Sequence, residues 1–160
     1  MKKEVIKLLL ERGVELEQIA ILVYELQKKY VKINLEECLE NVDKVLEKRE
    51  VQNAILTGIA LDRLAEKSLL EEPLLSIIRR DEPLYGIDEI LALSITNVYG
   101  SIGLTNFGYL DKMKLGIIQE LNEHKGDDVH TFLDDLVAGV VAAACARIAH
   151  SKGGEPNSVD

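Results

Sequence analysis

Tryptophan is absent from this chain, and phenylalanine and tyrosine together reach only 4% of its 160 residues. A core must therefore come from Leu, Ile, Val and Ala, a set that favours helix packed on helix. Only two cysteines occur, Cys38 and Cys145. They lie far apart without the short spacing of a metal-ligand pair, so they read as small buried hydrophobes in a reducing cytosol. Alternating period-2 runs and repeats of fixed period are missing, which argues against a sheet protein and a solenoid. Basic excess is missing too: 19 Lys/Arg against 28 Asp/Glu leave a formal net charge of −9. Gripping a phosphate backbone needs a basic surface, so no nucleic-acid partner is expected. Passive adsorption to an anionic membrane is disfavoured for the same reason.

What is present is a globular mixture, 47% hydrophobic and 29% charged. The length fits a single helical domain over residues 1–160, with an N-terminal helical portion (1–49), a core (50–150) and a flexible polar tail (151–160). The acid is concentrated beyond the first portion. Residues 1–50 carry 10 Lys/Arg against 11 Asp/Glu, whereas residues 51–160 carry 9 against 17. The N-terminal apolar run is interrupted by Glu4 and Lys7 and does not read as a signal peptide.

Residues 3–12 read as a short helix stopped by Gly13, and residues 16–30 as a second. Asn34 with Glu37 forms the pattern of a capping box opening a third, and a broad apolar face runs from Val51 to Leu64. Pro73 and Pro83 bracket a short segment holding Arg79, Arg80 and Asp81. From Ile90 to Leu110 no residue is charged. That length would span a bilayer, but Ser94, Thr96, Asn97, Ser101, Thr105 and Asn106 argue instead for a helix buried on all sides. Further helices are expected near 111–124 and from about 129 to 150, with Asp127 and Asp128 at the start of the last. The expected fold is all-α, a compact bundle of about six to seven helices around the uncharged one.

Four acidic sites punctuate the second half, one of them Asp127 and Asp128, seven residues before Asp134 and Asp135. Asp88 and Glu89 stand at the threshold of the uncharged stretch, Asp111 with Lys114 at its far end, and Asp134 and Asp135 just before the run Leu136–Val141. Adjacent side chains on a helix point about 100° apart, so Asp134 and Asp135 cannot both reach solvent if that run is buried. A buried carboxylate needs a cation or hydrogen-bond donors. Mg²⁺ suits a few carboxylates together with water and substrate phosphate. Lys114, Arg79 or Arg80 could neutralise charge on a phosphate. Spacing alone leaves a structural role open, with Asp134 paired to a lysine and Asp88 and Asp127 serving as helix caps. His124, His130 and His150 form no ligand pair.

Asp81, Asp88-Glu89, Asp111-x-x-Lys114 and Phe132-Leu133-Asp134-Asp135-Leu136-Val137-Ala138-Gly139 together resemble, in order and approximate spacing, the phosphatidylglycerophosphatase A family. The resemblance covers roughly residues 50–150, and Leu115 stands where the family has proline. The glycine-rich Pro-Gly-Thr motif and the transmembrane helices of membrane-bound members are missing, so the chain more closely resembles a soluble, all-helical branch. That resemblance implies a Mg²⁺-dependent phosphatase that releases phosphate from phosphatidylglycerophosphate in phospholipid synthesis. It implies metal ligation by Asp81, Asp88, Glu89, Asp134 and Asp135, with Asp111 and Lys114 acting on the phosphate. The implied partner is a phosphorylated lipid or a small phosphomonoester. The expected location is the cytoplasm, with at most peripheral contact with the inner face of the membrane, and the aliphatic content leaves room for a homo-oligomer. The alternative is a non-catalytic regulatory or oligomerising module, whose carboxylates would be occupied by lysine or arginine.

Overall fold

The computed structural model describes residues 1–123 and 126–153. Among them every regular element is helical: α1 (Lys2–Glu11), α2 (Leu16–Gln27), α3 (Leu35–Leu46), α4 (Arg49–Glu66), α5 (Leu74–Arg79), α6 (Ile87–Thr96), α7 (Ser101–Met113), α8 (Ile117–Asn122) and α9 (Leu133–Lys152). A single 3₁₀ turn, Asn97–Tyr99, joins α6 to α7. His124 and residues 154–160 of the expected tail lie outside the described residues.

Local chemistry explains several boundaries. After α1 the chain turns at Gly13, whose φ of +82° a side chain would resist. Asn34 Oδ1 accepts the Glu37 amide at 2.9 Å, and the Glu37 carboxylate accepts the Asn34 amide at 3.0 Å. This reciprocal pair satisfies two otherwise orphaned donors at the start of α3. Pro73 and Pro83 bound α5 on either side.

The bundle is all-α, as expected, but its axis is not the uncharged stretch. The axis is α9, whose residues from Leu133 to Ala146 are all buried. It packs against α2, α3, α4, α6, α7 and α8. Small side chains make this possible. At Gly139 an added Cβ would stand 3.0 Å from the Ala92 carbonyl oxygen of α6. Gly58 of α4 leaves equally little room beside Leu136 and Phe132.

The uncharged stretch, expected as one buried helix, is instead split. Gly100, at φ +80°, ends the 3₁₀ turn and separates α6 from α7. Both helices lie on α9 with one face and leave Ile90, Leu104 and Tyr109 exposed on the other, and Val98 of the turn between them is exposed too. The helix expected over 111–124 is likewise two pieces. Lys114 (φ +47°) and Gly116 (φ +54°) stop α7 and start α8. The last helix begins at Leu133 rather than near 129, so Asp127 and Asp128 precede it outside any helix and share no helical face with Asp134 and Asp135.

Replacing Gly139 by valine should loosen the α6–α9 contact, because the opposing atom is backbone and cannot rotate away. Overpacking of this kind costs about 1–3 kcal/mol. Urea denaturation of Gly139→Val should show a midpoint lowered accordingly; an unchanged midpoint would contradict the packing described.

Candidate functional site

Three helix ends and one loop meet around a cavity of about 200 Å³. The first turn of α6 brings Asp88 and Glu89, the end of α7 brings Asp111 and Lys114, and the first turn of α9 brings Asp134 and Asp135. Asp81 arrives from the loop after α5, in a left-handed conformation (φ +48°). All seven residues singled out from the sequence line this one cavity. Arg79 and Arg80 do not line it. Arg79 instead donates to the Glu66 carbonyl at 3.4 Å, and Arg80 lies 3.9 Å from Glu82.

Both acidic pairs sit where the positive end of a helix dipole favours negative charge, and Lys114 caps α7 where the negative end favours a cation. Lys114 Nζ lies 3.0 Å from Asp111 Oδ1, 3.0 Å from Asp134 Oδ2 and 3.3 Å from Asp135 Oδ1. An ammonium has three protons to donate, and here each has a carboxylate. Asp134 and Asp135 are buried, 4% and 3% exposed. Asp134 Oδ1 also accepts the Asp135 amide at 2.8 Å.

The charge is nevertheless unbalanced. Asp81, Glu82, Asp88, Glu89, Asp111, Asp134 and Asp135 face one ammonium. Desolvation lifts Asp134 above the ordinary carboxylate range against the pull of Lys114. Asp135 is lifted by desolvation and by the charge of Asp134. Although Asp81 lies at the open rim, partial desolvation and the charge of Asp88 raise its carboxyl too. For Lys114, desolvation acts downward but is outweighed by Asp134 and Asp135, so the ammonium is held more firmly than usual.

The donor set fits a hard divalent cation in kind, since Mg²⁺ takes one or two carboxylates and completes its shell with water and phosphate oxygens. One atom supports that fit directly: Asp88 Oδ1 is buried without a hydrogen-bond partner. Such an orphaned acceptor is costly unless a cation or donor reaches it. Among the described residues, no three His, Cys, Asp or Glu side chains stand as a ready-made metal cage. The carboxylates converge on an ammonium instead.

Sequence reading missed the residue that places α9. Asp62 of α4 is fully buried. Its carboxylate accepts the Phe132 amide at 3.1 and 3.3 Å and the Leu133 amide at 3.1 Å. These are free N–H groups at the start of α9, capped from another helix rather than from the preceding residues. The signal was legible: Asp62 continues the apolar face of Val51, Ile55 and Ile59 at helical spacing, where a charge has no reason to be unless it is used. The buried Phe132 then meets the Tyr85 ring edge-on, centroids 5.9 Å apart, which ties the start of α9 to the loop before α6. Glu82 and Asn122 also line the cavity and were not singled out. His130 approaches Arg12 through Nδ1, 3.3 Å from the guanidinium, and His150 Nε2 lies 3.2 Å from the Tyr99 carbonyl oxygen.

Desolvation pushes the Asp62 carboxyl up from 3.8 to about 8, against the amides it accepts. The folded protein therefore keeps a proton that the unfolded chain releases. The stabilisation this gives is full below pH 3.8 and is lost as pH rises toward about 8. Asp134 and Asp135, also raised, act in the same direction. Stability measured by urea denaturation should fall between pH 5 and 8. Asp62→Asn, which keeps an acceptor for the two amides, should show a shallower fall; an identical slope would remove Asp62 from this account.

The Bacillus subtilis (strain 168) uncharacterized protein YpjQ is 63% identical over 142 residues, covering 88% of this chain and 80% of that one. The solved structure of a Bacillus stearothermophilus protein of unknown function superposes with a TM-score of 0.92 at 60% identity, covering 95% of each chain. That of the low temperature requirement C protein from Listeria monocytogenes gives 0.91 at 60% identity, covering 94% of this chain and 95% of the other. The family model for phosphatidylglycerophosphatase A matches residues 5–150, which take in the N-terminal helices and every residue of the cavity. This chain belongs to the phosphatidylglycerophosphatase A family.

Proposed function

We propose that this protein is a divalent-cation-dependent phosphatase acting on a phosphomonoester, with phosphatidylglycerophosphate as the first substrate to test. The observation that carries the reading is the excess of seven carboxylates over one ammonium in a single cavity, with Asp88 Oδ1 buried and unpartnered. Family membership supports the same chemistry.

In this reading Asp88, Glu89, Asp134 and Asp135 would hold Mg²⁺, and Asp81 would add a carboxylate from the rim. Once bound, Mg²⁺ would neutralise phosphoryl charge and make the phosphorus easier to attack. Asp111 stands at the edge of the carboxylate group and serves as base or nucleophile. As base it takes the proton of the attacking water while the ester P–O bond breaks and the leaving oxygen gains a proton, so that the net change is hydrolysis. Lys114 presents its ammonium to the phosphate oxygens. The residues that orient these groups are Asp62, through the start of α9, and Phe132, through Tyr85.

One observation favours a second reading, a non-catalytic helical module. Every proton of the Lys114 ammonium is engaged by protein carboxylates, as a purely structural cluster would have it. The two readings differ in cation response. A ligand that binds only the folded state raises its stability, by about 2.7 kcal/mol at a hundredfold excess over Kd. Thermal melts should rise with Mg²⁺ or Mn²⁺ added together with inorganic phosphate if the site is a metal-phosphate site and stay put if the cluster is structural.

Phosphate release from phosphatidylglycerophosphate and from soluble phosphomonoesters, with and without Mg²⁺, tests the activity and its substrate class together. Asp135→Asn should abolish both Mg²⁺ binding and turnover, a fall of roughly a hundredfold or more. Undiminished turnover in that variant would sink the assignment.

A further inference from the structure

The Lys114 ammonium cannot both hold its three carboxylates and grip a phosphate. Its donors are all in use, to Asp111, Asp134 and Asp135. Two of those three are the carboxylates that a cation would need. Lys114 itself ends α7 in a left-handed turn (φ +47°), and its side chain is about a quarter exposed, so its stem has an open side toward the cavity. Asp88, across the same cavity, has a buried oxygen that Lys114 does not reach.

From this geometry we infer that Lys114 is a built-in counter-ion that a divalent cation must displace, and that phosphate, by receiving the displaced ammonium, makes cation binding favourable. This inference rests on the metal-phosphate reading and adds its regulation. Without phosphate, a cation entering between Asp134 and Asp135 strips an ammonium of its partners in a largely desolvated place. With phosphate present, the same ammonium moves from carboxylate to phosphate oxygens and loses little. Cation and phosphate therefore reinforce each other's binding, and by thermodynamic reciprocity each strengthens the other by the same factor. The consequence is a site that stays closed to free cation, with the ammonium standing between Asp134 and Asp135, until a phosphorylated substrate arrives.

Mn²⁺ binding, followed by the loss of the free-ion electron paramagnetic resonance signal, reads this directly. The experiment uses the full chain with and without inorganic phosphate, held below the concentration at which manganese phosphate forms. Wild-type protein should bind Mn²⁺ weakly alone and more tightly with phosphate, by roughly tenfold, within the usual range of coupling between sites. Lys114→Met should bind Mn²⁺ more tightly than wild type in the absence of phosphate and gain less from adding it. Lys112→Met, which removes the same charge from the exposed end of α7, should match wild type. Equal or weaker Mn²⁺ binding by Lys114→Met, or an equal effect of Lys112→Met, would overturn the displacement. Failure of wild type, Lys114→Met and Lys112→Met alike to bind Mn²⁺, with or without phosphate, would overturn the metal-phosphate reading itself.

Because Lys114→Met leaves three carboxylates without their cation and can fail to fold, wild type supplies a second readout. The ¹⁵N resonance of the Lys114 side-chain nitrogen should shift as Mg²⁺ and phosphate fill the site. A resonance unmoved at saturation would overturn the displacement whatever the variant does.

Discussion

One ammonium group holds the site together. Lys114 Nζ bridges acids from the end of α7 and the start of α9, at 3.0 to 3.3 Å, in a place where Asp134 and Asp135 have almost no access to water. Removing a partner from such a group leaves a buried charge uncompensated, which is far more costly than losing a surface pair. Both acids belong to the first turn of the helix around which the bundle is built. The cluster is therefore tied to the fold as well as to the chemistry. Yet one positive charge does not balance the acids around it, and the Asp81, Asp134 and Asp135 carboxyls are raised first by desolvation and then by one another's charge and that of Asp88.

The bundle's axis explains how acids come to be buried at all. A helix with Gly139 and a run of alanines can be surrounded on all sides, because neighbouring backbones come close to it. Its first turn then lies inside the protein, and its free amides need acceptors. Asp62 supplies them from α4, while Lys114 compensates the acids of the same first turn. The cap, the axis and the candidate site form one chain of dependence, running from a small-residue helix to a buried acidic cavity.

Much of this was legible in the order of the residues. The helical class followed from aliphatic composition and the lack of alternation. The α3 cap followed from Asn34 and Glu37, three residues apart, each of whose side chains accepts the other's backbone amide. The site residues Asp81, Asp88, Glu89, Asp111, Lys114, Asp134 and Asp135 were found as motifs, and they converge on one cavity. What sequence reading missed depends on distant partners. The uncharged stretch looked central because charge is absent from it, but absence of charge does not distinguish a buried helix from an exposed neutral face. Gly100 divides it and leaves Ile90 and Tyr109 in solvent. The start of α9 was misplaced because its cap, Asp62, lies 70 residues away from Phe132 in sequence. The distribution of Lys114 over three acids could not be read from an Asp-x-x-Lys spacing, which specifies only the Asp111 contact.

The central claim is that this cavity takes a divalent cation and a phosphate together, with Lys114 passing from the carboxylates to the phosphate. A crystal of the protein grown with Mn²⁺ and inorganic phosphate, measured for the anomalous scattering of manganese, tests it most directly. The account predicts an anomalous peak among Asp88, Asp134 and Asp135, with Lys114 Nζ turned onto the phosphate. An empty cavity with Lys114 still bridging Asp111, Asp134 and Asp135 would contradict it.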